Sequence, residues 1–306
     1  MTRKSTLLLI FLTYCTFLNS YSQITRINDS TFLTSDSVAL YLKVSGKGTP
    51  CIYVHGGPGA WSKTFEAMGG SELEKDLTMY YYDQRGCGRS QKAHNGDYSI
   101  DRTVEDIENI RSVTGFDKVY LMAHSFGGIL AFKYAQKYAD HVKGLILLDV
   151  TLSLNTSLKT QIRYISKLTG KNLPVNDTAF MSCFMAARKE LAAHKLDYKM
   201  LSDNKSTVEK LDSIDKTNPG NYEFARRAFN IPAYTVDYTK ETGSLHVPVL
   251  VISGLKDHAV GPEHYKLFRF PKQQTVLIDG GHVLYYEQND QFRNAVSVFV
   301  KGVNNY

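Results

Sequence analysis

The stretch Lys118-Val119-Tyr120-Leu121-Met122-Ala123-His124-Ser125-Phe126-Gly127-Gly128 decides how this chain is read. Its first half is β-branched and apolar, which predicts a short buried strand. After Gly128 the run Ile129-Leu130-Ala131-Phe132-Lys133-Tyr134-Ala135 has helical spacing, with Leu130, Tyr134 and Tyr138 on one face. A serine between strand and helix is lifted clear of the sheet and sits at a helix N-terminus, where the dipole favours developing negative charge. Small residues two before and two after it, Ala123 and Gly127, let the turn close without a Cβ clash. Glycine is the usual residue at the first of these positions. The placement between strand and helix therefore carries the reading, more than the five-residue pattern does.

Upstream, Cys51-Ile52-Tyr53-Val54 reads as another buried strand and runs into His55-Gly56-Gly57-Pro58-Gly59. Three glycines and a proline at a strand exit make a turn with backbone N–H groups pointing outward, the donor arrangement that holds an oxyanion.

A serine nucleophile needs a base, and the base needs an orienting acid. Val249-Leu250-Val251-Ile252-Ser253-Gly254 reads as a strand leading to Leu255-Lys256-Asp257-His258. Gln274-Thr275-Val276-Leu277-Ile278-Asp279 reads as the next and leads to Gly280-Gly281-His282. Asp257 and His282 thus follow strand C-terminal ends, the edge where open α/β sheets bind ligands. Asp257 is assigned as the acid and His282 as the base. Asp149, after the strand Gly144-Leu145-Ile146-Leu147-Leu148, is the competing acid. His258 and His264 lack a glycine turn before them and read as surface or packing residues, while His55 and His124 read as structural parts of the two turns. The other histidines show no metal-ligand spacing, so no metal site is expected.

His55-Gly56-Gly57-Pro58-Gly59 together with Asp83-Gln84-Arg85-Gly86-Cys87-Gly88-Arg89-Ser90 resembles the prolyl iminopeptidase branch of the α/β-hydrolases. The resemblance implies an α/β-hydrolase fold, with a mostly parallel central sheet flanked by helices and a helical cap. It implies a metal-independent serine peptidase, without cofactor, that removes N-terminal residues, often proline, from short peptides. Carried over by position, the oxyanion donors are the amides of Gly57 and Phe126. Asp83 and Arg85 are expected to pair and brace the elbow. Two features depart from the branch: Ala-His-Ser-Phe-Gly stands around the serine in place of Gly-Gly-Ser-Trp-Gly, and the cap has no tryptophan, since the only one is Trp61. Both are closer to esterases. A carboxylesterase or lactone hydrolase with the same triad is therefore the alternative reading, and a non-catalytic hydrolase-like binding protein is a weaker one. A free N-terminus calls for cap carboxylates, and Glu190, Asp197, Glu209, Asp212, Glu223 and Asp237 are the candidates.

At 306 residues and 43% hydrophobic content the chain can bury a full α/β core. Strand and helix patterns alternate from about Thr31 to Val150 and resume at about Val247. Between them the strand signal is lost, with helical stretches at about 177–196 and 221–229. The expected organisation is a signal peptide over 1–22, core over 23–150, cap over 151–244 and core over 245–306. Arg3 and Lys4 precede Leu7-Leu8-Leu9-Ile10-Phe11-Leu12, and Ser20-Tyr21-Ser22 supplies the small residues of a cleavage site. That predicts a secreted or periplasmic protein without a stable membrane span. Cys15 follows the bulky Tyr14, which argues against lipidation. Removing Arg3 and Lys4 takes the formal charge from +6 to +4, mixed rather than clustered, so nucleic acid is not expected as a partner. Cys51, Cys87 and Cys183 are an odd, widely spaced set that makes no disulfide framework.

Overall fold

The computed structural model describes residues 25–28 and 30–304, so the expected signal peptide and Cys15 lie outside the described residues. Among the described residues nine strands form one sheet: β1 (Thr25–Asn28), β2 (Thr31–Leu33), β3 (Ala39–Gly46), β4 (Thr49–Val54), β5 (Leu77–Tyr82), β6 (Val119–His124), β7 (Val142–Leu148), β8 (Val249–Gly254) and β9 (Gln273–Ile278). Their order is β1-β2-β3-β5-β4-β6-β7-β8-β9. The pairings from β1 across to β5 are antiparallel, and those from β5 across to β9 are parallel.

The α-helices are α1 (Ser62–Ala67), α2 (Ile100–Thr114), α3 (Gly127–Lys137), α4 (Leu154–Thr169), α5 (Phe180–Ala193), α6 (Lys205–Asp215), α7 (Glu223–Ala228), α8 (Leu284–Glu287) and α9 (Asn289–Asn304). The parallel strands are continuous apolar runs because both faces are covered. Ile52, Val54, Leu121, Ala123, Leu145, Leu147, Val249 and Val251 pack with α2 and α3 on one face. Their alternates Tyr53, Met122, Ile146, Leu148, Leu250 and Ile252 pack with Phe65 of α1 and with Phe292, Val296 and Phe299 of α9 on the other. Each such aliphatic or aromatic side chain contributes roughly 1.5–3 kcal/mol through burial.

Between β7 and β8 the described residues form only helices, α4 to α7 with short 3-10 turns. Part of this segment has its own apolar cluster, Ile162, Ile165, Ala187, Leu191 and Met200. It is tied to the core by backbone bonds, with Phe224 N–H donating to Gly86 O (3.2 Å) and His282 N–H to Leu201 O (2.8 Å). Asp237 caps the final 3-10 turn through Thr239 N–H. Among the described residues, no helix is long and apolar enough to cross a membrane. Cys51 and Cys87 are buried thiols, and burial pushes both well above the usual thiol range.

Candidate active site

Ser125 occupies the elbow between β6 and α3 at φ 55°, in the left-handed region. That conformation costs a non-glycine residue about 1–2 kcal/mol, and the surroundings must hold it there. Ser125 N–H donates to Leu148 O (3.2 Å), while its carbonyl accepts from Gly128 N–H (3.0 Å) and Thr151 N–H (3.1 Å). The glycines after it are dictated by close approach: a Cβ on Gly127 would stand 2.3 Å from Val54 O, and one on Gly128 would stand 2.4 Å from Val150 Cβ. Ser125 alone between Val119 and Phe132 is not fully buried.

The loops after β8 and β9 bring Asp257 and His282 together, with His282 Nδ1 3.1 Å from Asp257 Oδ2. Asp257 is buried, and its other oxygen accepts from Ala259 N–H (2.8 Å) and Val260 N–H (3.1 Å). Burial pushes its pKa up, but His282 and these backbone donors outweigh that and hold the carboxyl below the usual range. Asp149 stands beside the pair. One ligand atom from each of Asp149, Asp257 and His282 lies within 4.8 Å of the others. This spacing would suit a cation, but Asp257 already directs its oxygens at His282 and two amides, and we assign no metal to the set. His124 Nε2 is 2.9 Å from the carbonyl oxygen of His282, so this histidine fixes the His282 loop. Burial, with His282 next, pushes the His124 pKa down to about 3.

The glycine turn is fixed from beneath. His55 Nε2 accepts from Gln84 N–H (2.9 Å), and the Gln84 amide donates to His55 O (2.7 Å). Gly57 has φ 123°, and a Cβ on Gly56 would stand 2.7 Å from Ser125 Cβ, so the turn lies directly against the serine. The expected Asp83–Arg85 pair does not form. Asp83 binds Arg89 (2.8 Å) and Ser62, whereas the buried Arg85 reaches across to Asp106 (2.6 Å) and Asp36 (2.9 Å). The two side chains, two residues apart on the segment leaving β5, are turned to different partners by the turn that follows Asp83. His258 stacks on Tyr164 (3.5 Å), and His264 Nε2 accepts from Leu152 N–H (3.1 Å), so both are packing residues as expected.

Ser125, His282, Gly57 and Phe126 line one cavity of about 310 Å³. Its cap side carries Leu154, Leu158, Leu211 and Phe229, and the only carboxylate on its wall among the described residues is Asp215, at the end of α6. Asp215 Oδ1 accepts from Trp61 Nε1 (2.8 Å) and Thr64 Oγ1 (2.5 Å). None of the six cap acids expected from the sequence lines this cavity. Glu190 is bound to Lys171 and His194, and Glu223 to Arg226 and Arg227, because each has a basic residue within a turn or on the neighbouring loop. Asp197, Glu209 and Asp212 line a separate cleft between cap helices. A signal for Asp215 was present in the sequence: it continues the apolar stripe of Val208 and Leu211 at i+3 and i+7, the position where a solvated charge is not expected.

A serine at a strand–helix elbow, sharing a cavity with a histidine backed by a buried carboxylate, on a mostly parallel sheet, defines the α/β-hydrolase class. The family described as the alpha/beta hydrolase fold matches residues 49–288, and the chain belongs to it. Over 275 residues it is 36% identical to a proline iminopeptidase of Saccharolobus solfataricus, covering 85% of this chain and 87% of that one. That likeness makes the chain a hydrolase of prolyl iminopeptidase type. Among solved structures it resembles a proline iminopeptidase-related protein of Thermus thermophilus, with TM-score 0.70, 20% identity and coverage of 87% of this chain and 94% of that chain. It also resembles a thermophilic esterase of Thermogutta terrifontis, with TM-score 0.67, 24% identity and coverage of 91% and 99%. These two likenesses concern the fold.

Proposed function

We propose that this protein is a secreted or periplasmic serine aminopeptidase that releases N-terminal residues, proline among them, from short peptides. His282 takes the proton of Ser125, whose oxygen attacks the carbonyl carbon of the N-terminal residue. The Gly57 and Phe126 amides receive the oxyanion, and His282 then protonates the leaving amine. Water releases the acyl group by the same steps in reverse. Asp257 holds the imidazole in the tautomer with Nδ1 protonated and stabilises its cationic form. Export rests on the basic, apolar and small-residue pattern of residues 1–22.

The observation that carries the peptidase reading is Asp215. It is one carboxylate on the wall of an otherwise largely apolar cavity, aligned by Trp61 and Thr64, where a substrate ammonium can pair with it. The apolar lining by Leu154, Leu158, Leu211 and Phe229 favours the second reading, a carboxylesterase or lactone hydrolase. Free and N-acetylated aminoacyl amides, assayed beside short-chain esters, separate the two. An aminopeptidase turns over the free amines far faster than their blocked twins, and Asp215→Asn raises KM for the free amines about tenfold or more. Equal rates on blocked and free amides, with fast ester cleavage, would establish the esterase instead.

A further inference from the structure

Asp149, which takes no part in the triad, directly follows β7 with φ 45°, a strained conformation shared near this site with Ser125. Its side chain is buried. Oδ1 accepts from Gly254 N–H at 2.7 Å, while Oδ2 is buried without a hydrogen-bond partner. A carboxylate so placed would put a second negative charge within 4.8 Å of Asp257 and His282. Among the described residues lining the space beside it there is no lysine or arginine to balance it. Val150, Val251, Ile252, Val260 and Phe268 close the space, and the titratable neighbours are Asp257, His282, His264 and Tyr265. Tyr285 of α8, whose ring packs against His124, feels the Asp149 charge through space. His264 is itself kept neutral by burial, down to about 4.

We propose that Asp149 is a neutral carboxylic acid at working pH, donating from its otherwise unpartnered Oδ2 to Asp257 and thereby positioning the carboxylate that orients His282. Asp149 is a positioning residue on this account. It touches no substrate and acts through Asp257, and the proposal rests on the catalytic reading of Ser125, His282 and Asp257. A proton on Oδ2 gives the orphan atom a partner and turns a like-charge contact into a hydrogen bond. The direction of titration agrees: burial first, and the Asp257 charge second, push Asp149 well above the usual carboxyl range.

The test compares Asp149→Asn, which keeps a neutral donor of the same shape, with Asp149→Ala, which removes it. Asp149→Ala lowers kcat about 10- to 100-fold with KM within about twofold, as expected when a catalytic group is misplaced by a fraction of an ångström. Asp149→Asn restores kcat to within about threefold of the parent and leaves the acidic limb of kcat/KM where it was. An ionised Asp149 predicts otherwise: the amide would remove a negative charge beside His282 and shift that limb to lower pH. The infrared difference between parent and Asp149→Asn at pH 7 shows a protonated-carboxyl band in the parent that the variant lacks. This measurement needs no turnover, so it stands even if Ser125→Ala were to retain activity and overturn the catalytic reading. The proposal fails if that band is absent, if Asp149→Ala is as active as the parent, or if Asp149→Asn loses as much as Asp257→Asn.

Discussion

Replacing Asp257 by asparagine tests the centre of the site, because the change is isosteric and its consequences are separable. The amide oxygen can still accept from Ala259 and Val260 N–H, so the loop after β8 keeps its shape. The amide nitrogen then faces His282 Nδ1, which must present a lone pair and carry its proton on Nε2. That is the wrong tautomer to accept the proton of Ser125. The variant also loses the attraction between carboxylate and the imidazolium formed during attack. At 3.1 Å and an effective dielectric constant of about 20, that attraction is worth about 5 kcal/mol. At about 1.36 kcal/mol per tenfold in rate, this corresponds to about 10⁴. The expected loss in kcat is therefore about 10³–10⁴. The assay is kcat/KM for a proline amide from pH 5 to 9, with the thermal midpoint followed by circular dichroism. Retention of more than a tenth of the activity by a folded variant would refute the role assigned to Asp257.

Three further outcomes are expected. Ser125→Ala removes nearly all turnover and leaves the circular dichroism spectrum unchanged; a tenth of the activity remaining in a purified sample would mean the nucleophile lies elsewhere. Arg85→Met leaves the buried Asp106 with only the more distant Arg102 guanidinium (3.4 Å) and destabilises the protein by about 3 kcal/mol, read as a lower urea midpoint. His124 and His264 are neutral when folded, with pKa values near 3 and 4 against 6.5 when unfolded. The unfolded chain binds more protons in that interval, so stability contributed by the two is present above pH 6.5 and lost as pH falls toward 4. The loss is about 1.4 kcal/mol per pH unit for each histidine. Urea unfolding at pH 7, 6 and 5 measures it, and a flat stability across that range would contradict the buried neutral state.

What was legible in the sequence was what short segments decide by themselves. The strand-serine-glycine-helix run around Ser125 needs a left-handed residue followed by small ones, and nothing distant changes that requirement. The common edge occupied by Gly57, Phe126, Asp257 and His282 was legible for the same reason. Each directly follows a strand or the elbow, and parallel strands deliver their C-terminal ends to one edge. The partners of charged side chains were not legible. Asp83 and Arg85 are neighbours in sequence, yet the backbone turns them to different sides, and Arg85 finds Asp36 before β3 and Asp106 on α2. In the cap, sequence could name acids but not aim them. Glu190 and Glu223 are neutralised by nearby bases, while Asp215 reaches the cavity only because α6 packs its Val208–Leu211–Asp215 face toward the core and Trp61 meets it there. The relation of Asp149 to Asp257 is likewise tertiary. Both follow strands that are adjacent in the sheet, β7 and β8, although the whole cap separates them in the chain. Local backbone demands are written in neighbouring residues. Charge pairing depends on which surfaces packing brings together, and only the folded chain decides that.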